Sequence, residues 1–250
     1  MKNKKVVIIT GGNRGIGYGI TKSFVDEGYI VIVGARQNLS LEKEFGDSVI
    51  FMQVDVKKQK DHYKLVNMAI KNYGRLDCYI NNAGYSQWRP ISKIDENFID
   101  DILDTNLKGA FWGSKAAAEF LNKKGTIINV SSLAGKRGSS NNSAYVASKF
   151  GMNGLTQSLA KELGPKGIRV NAVCPVLIHT QGLDKALNDM DSPAKGDPSD
   201  FINNFSKLNS ALLRMPTEFE VGKMCVFLAS ENASAITGQC INVDCGVLPQ

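Results

Sequence analysis

Short apolar or β-branched runs recur along the chain at Val6–Thr10, Ile30–Gly34, Val49–Val54, Cys78–Asn81, Thr126–Ser131 and Arg169–Val173. Between and after them, apolar positions take helical spacing over Gly15–Glu27, Asp61–Tyr73, Asn97–Leu121 and Tyr145–Leu163. A last helix is expected over Glu218–Ala229 and a last strand over Gln239–Val243. Strands without a polar face, separated by amphipathic helices, call for a parallel sheet covered on both sides. The pattern predicts one α/β domain over residues 1–250, a doubly wound parallel sheet of about seven strands. Residues 181–216 break the rhythm. They are polar, carry Pro193 and Pro198, and read as an insertion serving function rather than the sheet.

Composition narrows the class. Thirty basic and 24 acidic residues leave a net charge of +6, but the charges are scattered, so nucleic-acid binding gains little support. Such a surface suits an anionic small ligand equally well. Five cysteines without a Cys-x-x-Cys pair read as reduced, mostly buried thiols rather than disulfides or a metal site. The apolar run Val6–Ile9 is too short for a secretion signal, and no stretch reaches the ~18 apolar residues of a membrane helix. A cytoplasmic protein is expected.

"TGGNRGIG", Thr10–Gly17, follows the first strand and opens the first helix. Gly11, Gly15 and Gly17 permit a sharp turn and close approach of a pyrophosphate, and the helix N-terminus offers free N–H groups. The alternative is a glycine-rich turn without a ligand; its place between strand and helix favours the nucleotide. At the end of the second strand, an acid would bind the ribose 2′-hydroxyl of NAD, whereas a basic residue suits the 2′-phosphate of NADP. Ala35 stands there, Arg36 follows, and Arg14 lies in the glycine turn. Together they favour NADP over NAD, although either arginine is alternatively a solvated surface charge.

Tyr145 and Lys149 in "SAYVASKFG" stand four residues apart, and so do Tyr18 and Lys22 in "GYGITK". The spacing places each pair on one helix face. A lysine beside a tyrosine favours the phenolate and suits proton transfer near neutral pH. Only Tyr145 has a strand-end serine upstream, Ser132, on the side of the sheet where ligands bind. Tyr18 and Lys22 are expected to serve packing and surface.

The ordered motifs "TGGNRGIG", "DV" at Asp55-Val56, "NNAG" at Asn81–Gly84 and "TNLKG" around Asn106 resemble the short-chain dehydrogenase/reductase family. So do "INVSS" at Ile128–Ser132, "YVASK" at Tyr145–Lys149, "RVNAVCP" at Arg169–Pro175 and the closing "ITGQCINVDCG". The resemblance covers nearly the whole chain. It implies a Rossmann-type fold and hydride transfer between a nicotinamide and a carbonyl or alcohol carbon. It further implies a catalytic tetrad of Asn106, Ser132, Tyr145 and Lys149, with Ser132 on the substrate oxygen, Lys149 on the nicotinamide ribose and Asn106 anchoring a water. For the cofactor it implies Gly11, Asn13, Arg14, Gly15, Ile16, Gly17 and Arg36, then Asp55 and Val56 at the adenine. Asn82, Ala83 and Gly84 would line the cleft and Val130 close it, with Tyr145, Lys149, Pro175, Ile178 and Thr180 at the nicotinamide end. Family members commonly form tetramers through the two long helices, so a homotetramer or homodimer is expected.

The chain departs from the family pattern at Val176 and Cys245, where glycines are usual. Val176 implies a reshaped loop; Cys245 is either a reactive thiol or a small buried residue. His179 reads as a loop-surface histidine before a substrate contact. Substrate choice is expected to rest on Tyr85–Pro90, Lys136–Asn142 and residues 181–216, with Trp88 and Phe201 as walls and Arg89, Lys185 or Lys195 for an acidic group. The resemblance admits sugars and polyols, steroids, quinone-like ketones and acyl-carrier thioesters. An NADP-dependent alcohol/ketone oxidoreductase leads, a 3-oxoacyl-[acyl-carrier-protein] reductase follows, and a non-catalytic nucleotide-binding regulator is the reading from another class. No metal is expected.

Overall fold

The computed structural model describes residues 4–249. Seven strands form one sheet: β1 Val6–Thr10, β2 Ile30–Ala35, β3 Val49–Gln53, β4 Cys78–Asn81, β5 Thr126–Val130, β6 Arg169–Pro175 and β7 Cys240–Val243. Their order is β3-β2-β1-β4-β5-β6-β7, and every pairing is parallel. The chain runs outward from β1 to β3, then returns to place β4 on the other side of β1. That reversal opens a crevice at the carboxyl ends of β1 and β4, where doubly wound sheets bind ligands.

Between the strands lie α1 Gly15–Asp26, α2 Leu41–Phe45, α3 Gln59–Tyr73, α4 Glu96–Leu103, α5 Gly109–Phe120 and α6 Ser143–Leu163. They are followed by α7 Gln181–Leu187, α8 Pro198–Asn209 and α9 Glu218–Ala229. Strand residues alternate between two buried cores, as a period of two dictates. Val7, Ile9, Val31, Val33, Ile80 and Ile128 pack against Ile20 and Phe24 of α1 and Val221 and Leu228 of α9. Val6, Ile8, Ile30, Ile32, Tyr79 and Ile127 pack against Leu65 and Val66 of α3, Ala116 of α5 and Leu163 of α6. Both faces of the central strands are covered, so those strands have no solvent-facing polar side.

A polar chain runs through this interior. Asn81 Nδ2 donates to Ser114 Oγ at 3.0 Å and to Asn129 Oδ1 at 2.9 Å. Asn129 Nδ2 donates to Thr156 Oγ1 at 2.9 Å, and Thr156 donates to the Met152 carbonyl at 2.8 Å. α5, β4, β5 and α6 are thereby joined through side chains that satisfy one another.

Two features differ from the sequence expectation. The helix expected over 97–121 begins at Glu96 and passes through a π-helical turn, Asp104–Lys108, between α4 and α5. The broad apolar spacing there cannot reveal a one-residue bulge. The polar segment 181–216 contains α7 and α8, each N-capped by a side chain, Thr180 for α7 and Asp197 for α8.

Cys245 has φ +55°, a left-handed conformation that disfavours any side chain. Its carbonyl accepts from Ser210 Oγ at 3.0 Å and the Leu212 N–H at 3.2 Å, which ties the C-terminal turn to the end of α8. The turn favours glycine here and leaves the cysteine itself without a structural explanation. Cys245→Gly relieves the strain and loses some unfolded-chain rigidity, for a net gain below about 1 kcal/mol. A thermal melt is expected to rise by roughly 2 °C.

Candidate active site

The glycine turn is fixed from below by Thr10 and from the side by Asn82. Thr10 Oγ1 accepts the Asn82 and Ala83 N–H groups at 3.0 and 3.1 Å. Asn82 Nδ2 donates to the carbonyls of Thr10 at 2.9 Å and Gly11 at 3.1 Å. Gly11 and Gly15 have φ of +65° and +52°, conformations glycine adopts freely. A Cβ on Gly17 would lie 2.0 Å from the Gly11 carbonyl oxygen. The turn is thus a bare backbone cradle, and Arg14 at the N-cap of α1 places no side-chain hydrogen bond on the helix N-terminus. Exposed N–H groups above a glycine cradle fit a pyrophosphate.

Asn13 is buried and donates to the Gln37 carbonyl at 2.7 Å, joining the cradle to the loop after β2. Ile16 packs on the core beneath α1. Arg14 and Arg36 are both exposed at the rim. Arg36 lies within electrostatic reach of Asp101, whose carboxylate is held below its usual range chiefly by Lys57 and Tyr85. Asp55 Oδ1 accepts the Lys57 N–H at 3.1 Å, so the Asp55-Val56 loop is a closed turn.

Asn106 sits in the π-helical turn with no exposed surface. Its Oδ1 accepts the Tyr85 N–H at 3.0 Å, and its Nδ2 donates to the Tyr85 carbonyl at 2.9 Å and to Ser148 Oγ at 3.2 Å. A Cβ on Gly84 would press to 3.0 Å from Oδ1. Ser148 in turn donates to the Tyr145 carbonyl at 2.7 Å. Asn106 therefore clamps the segment after β4 to the first turns of α6. Tyr85 and Ser148 complete this clamp; a serine beside the Tyr-x-x-x-Lys pair is the sequence signal for it.

Ser132 follows β5 in extended backbone, and its Oγ accepts the Ala134 N–H at 3.1 Å. Ser132 also hydrogen-bonds the Tyr145 hydroxyl, one of the influences on that phenol. Burial raises the Tyr145 pKa above its ordinary value, and the Ser132 hydrogen bond partly offsets it. The expectation that Lys149 favours the phenolate is not what sets this balance. Lys149 donates to the Val130 carbonyl at 2.8 Å, and Nζ lies 5.7 Å from the Tyr145 ring centroid. Burial lowers the Lys149 pKa to about 8. The arrangement offers a neutral phenol with the Ser132 hydroxyl near it and a desolvated ammonium one helical turn away. Tyr18 differs entirely: its hydroxyl donates to Glu44 at 2.7 Å, and Lys22 pairs with Asp26.

Comparison with known proteins places the chain in a family. A family profile described as enoyl-(acyl carrier protein) reductase matches residues 11–248. L-2,3-butanediol dehydrogenase of Corynebacterium glutamicum is 34% identical over 257 aligned positions, covering 98% of each chain. The chain belongs to the short-chain dehydrogenase/reductase family. This short-chain dehydrogenase/reductase is accordingly an NAD(P)-dependent oxidoreductase acting on CH–OH groups. A 3-oxoacyl-[acyl-carrier-protein] reductase of Chlamydia muridarum is 34% identical over 97% of each chain. An actinorhodin polyketide ketoreductase solved with NADPH superposes with a TM-score of 0.90 at 28% identity, covering 99% of this chain and 98% of that one.

The remaining residues of this dehydrogenase/reductase lie around β6. Pro175 ends the strand, and the Ile178 side chain is buried against the core beside α1 and α9. Thr180 Oγ1 accepts the Leu183 N–H at 3.2 Å, and its Cγ2 would lie 3.3 Å from a Cβ on Gly15, so the loop approaches the cradle. Val176 packs with Leu133 and Cys174. His179 is exposed and faces Asp184 at 3.2 Å. Trp88 is buried against Leu187 and Ala186 of α7, and Phe201 of α8 packs against the same cluster. Arg89, next to Trp88, stacks 4.0 Å from the Phe98 ring centroid. All five cysteines are free thiols, with Cys78, Cys174 and Cys225 buried. Among the described residues no His/Cys/Asp/Glu group is arranged to hold a metal, and no helix is long and apolar enough to cross a membrane.

Proposed function

We propose that this enzyme moves hydride reversibly between NADP and a small secondary alcohol or ketone, using Ser132, Tyr145 and Lys149 at the reacting oxygen and Asn106 to buttress them. The observation that carries the reading is the buried Lys149, held by the Val130 carbonyl at 2.8 Å with Nζ 5.7 Å from the Tyr145 ring centroid, beside the end of β5 that leads into Ser132. NADP, when bound, supplies or accepts the hydride. The Ser132 hydroxyl orients the substrate oxygen and stabilises charge developing on it. Tyr145 gives that oxygen a proton during reduction and takes one during oxidation. Lys149 offsets the charge left on the phenolate. Gly11, Gly15 and Gly17 would hold the pyrophosphate, and Asp55-Val56 with Asn82–Gly84 the adenosine side.

Ala35 at the end of β2, with Arg14 and Arg36 exposed beside the cradle, supports NADP over NAD. The diol dehydrogenase among the relatives supports a small substrate. Phe111 on α5 and Phe150 on α6 are 49% and 46% exposed, which supports a homotetramer or homodimer joined through those helices. Free thiols throughout support the cytoplasm. One sheet with two continuous cores supports one domain, with 181–216 as its substrate insertion.

The test is NADPH and NADH oxidation with vicinal diketones, hydroxyketones and 3-oxoacyl thioesters. Small diketones with NADPH are expected to give the highest kcat/KM. Arg36→Asp is expected to lower the NADPH preference about tenfold or more, since a charged hydrogen bond contributes about 1.5–3 kcal/mol. Preference for the thioester would move the substrate class to acyl carriers, and an unchanged coenzyme preference would remove Arg36 as the selector.

A further inference from the structure

His62 on α3 is 1% exposed, and the site described above makes no use of it. Its Nδ1 lies 2.8 Å from the Tyr79 hydroxyl of β4, and its Nε2 lies 2.8 Å from the Val56 carbonyl oxygen. A carbonyl only accepts, so Nε2 carries the hydrogen and donates it, and Nδ1 accepts the hydrogen bond of the Tyr79 hydroxyl. Tyr79 is wholly buried, and its hydroxyl thereby fixes the tautomer that His62 needs. Asp61, the preceding residue, accepts the Asp55 N–H on Oδ2 at 3.0 Å. Consecutive residues in the first turn of α3 therefore grip the outer N–H and the outer carbonyl of the Asp55-Val56 dipeptide. Gly109 bounds the same carbonyl from α5, where a Cβ would lie 3.2 Å from it.

The grip has a physical reason. The sheet ladder ends at Gln53, so the inward-facing Val56 carbonyl must find a donor from another element or remain unpaired at a cost of about 1–3 kcal/mol. Apolar residues at 62 and 79 would fill the same volume without three buried polar atoms to satisfy. The pair fixes a position that apolar packing would leave loose.

We infer that His62, with its tautomer set by Tyr79, is a positioning residue for the adenosine half of the coenzyme, acting through the Val56 carbonyl. The inference rests on the reading that Asp55-Val56 contacts adenine. It separates coenzyme anchoring from the chemistry at Tyr145, which lies on another helix.

The test uses the full chain and two probes, ADP and nicotinamide mononucleotide, whose dissociation constants are measured by calorimetry or intrinsic fluorescence. His62→Leu is expected to weaken ADP about tenfold, the equivalent of one buried hydrogen bond, and to leave nicotinamide mononucleotide and kcat at saturating coenzyme unchanged. His62→Gln, whose amide can donate to Val56 and accept from Tyr79, restores ADP affinity to within about twofold. Tyr79→Phe weakens ADP about threefold, and it decides the matter should His62→Leu fail to fold in a thermal melt. Equal losses for both probes, or no loss of ADP affinity in Tyr79→Phe and His62→Leu, overturn the inference. Asp55→Ala serves as the reference. If it weakens ADP while the His62 and Tyr79 variants do not, only the positioning role fails; if it does not weaken ADP, the adenine reading fails and takes the inference with it.

Discussion

Tyr145→Phe slows carbonyl reduction by roughly 10²–10⁴-fold, the range a positioned general acid contributes, with little change in coenzyme affinity or melting temperature. The ring stays in place and only the hydroxyl that meets Ser132 is lost. A structural role would show the opposite pattern, with stability falling and kcat held. The charges also set a pH dependence. Burial raises the Tyr145 pKa, so the phenol remains protonated through neutral pH and is ready to act as an acid. Alcohol oxidation needs the phenolate and is expected to accelerate as pH rises. Lys149, lowered to about 8, is charged below that pH and loses its charge above it, so carbonyl reduction is expected to decline there. Steady-state kcat in both directions from about pH 6 to about pH 10 checks this, the span that brackets the Lys149 and ordinary tyrosine values. A Tyr145→Phe enzyme matching wild type sinks the assignment of Tyr145.

Gly17→Ala is expected to abolish coenzyme binding and lower stability together. Its Cβ would stand 2.0 Å from the Gly11 oxygen and 2.6 Å from Asn82 Nδ2. The first obstacle is backbone, which cannot swing aside as a side chain does, and the second is the amide that pins the cradle. Overpacking of this kind costs about 1–3 kcal/mol, or roughly 3–10 °C in melting temperature for a chain of this size. Gly28→Ala is the contrasting case. Gly28 has φ +78° but nothing within 4 Å of a Cβ, so backbone strain of about 1 kcal/mol is the whole effect and coenzyme affinity is unchanged. Calorimetric titration with NADPH beside a thermal melt separates the two, and normal affinity in Gly17→Ala would contradict the cradle.

The sheet was legible because both its faces are buried. Runs such as Val6–Thr10 and Ile30–Ala35 have no polar side to confuse with a helix. The glycine turn was legible because glycine has few other reasons to cluster between strand and helix. Tyr145 was separable from Tyr18 through Ser132, and Glu44 and Asp26 are the partners of the second pair. Other features left no such trace. A π-helical turn alters which carbonyl an N–H meets, not the residue types, so Asp104–Lys108 reads as ordinary helix. An isoleucine on a loop carries no mark of which side it faces, so the packing of the Ile178 side chain into the core was not legible. Lys149 reads as acting on its neighbour's phenol, yet the Val130 carbonyl that holds it lies 19 residues away in sequence. His62 and Tyr79 are 17 residues apart, and only the fold brings them together.

The side-chain chain from Ser114 through Asn81 and Asn129 to Thr156 bears on how the protein comes apart. Each buried amide in it depends on a partner from a different element, so detaching one helix strands polar groups in an apolar interior. Partial opening at the centre of the sheet is therefore penalised, and α5, β4, β5 and α6 behave as one cooperative unit. Asn81 and Asn82 adjoin at the end of β4, one fastened into that unit and the other holding the glycine cradle. The half that holds the nucleotide is thereby fastened in register to the half that carries Tyr145.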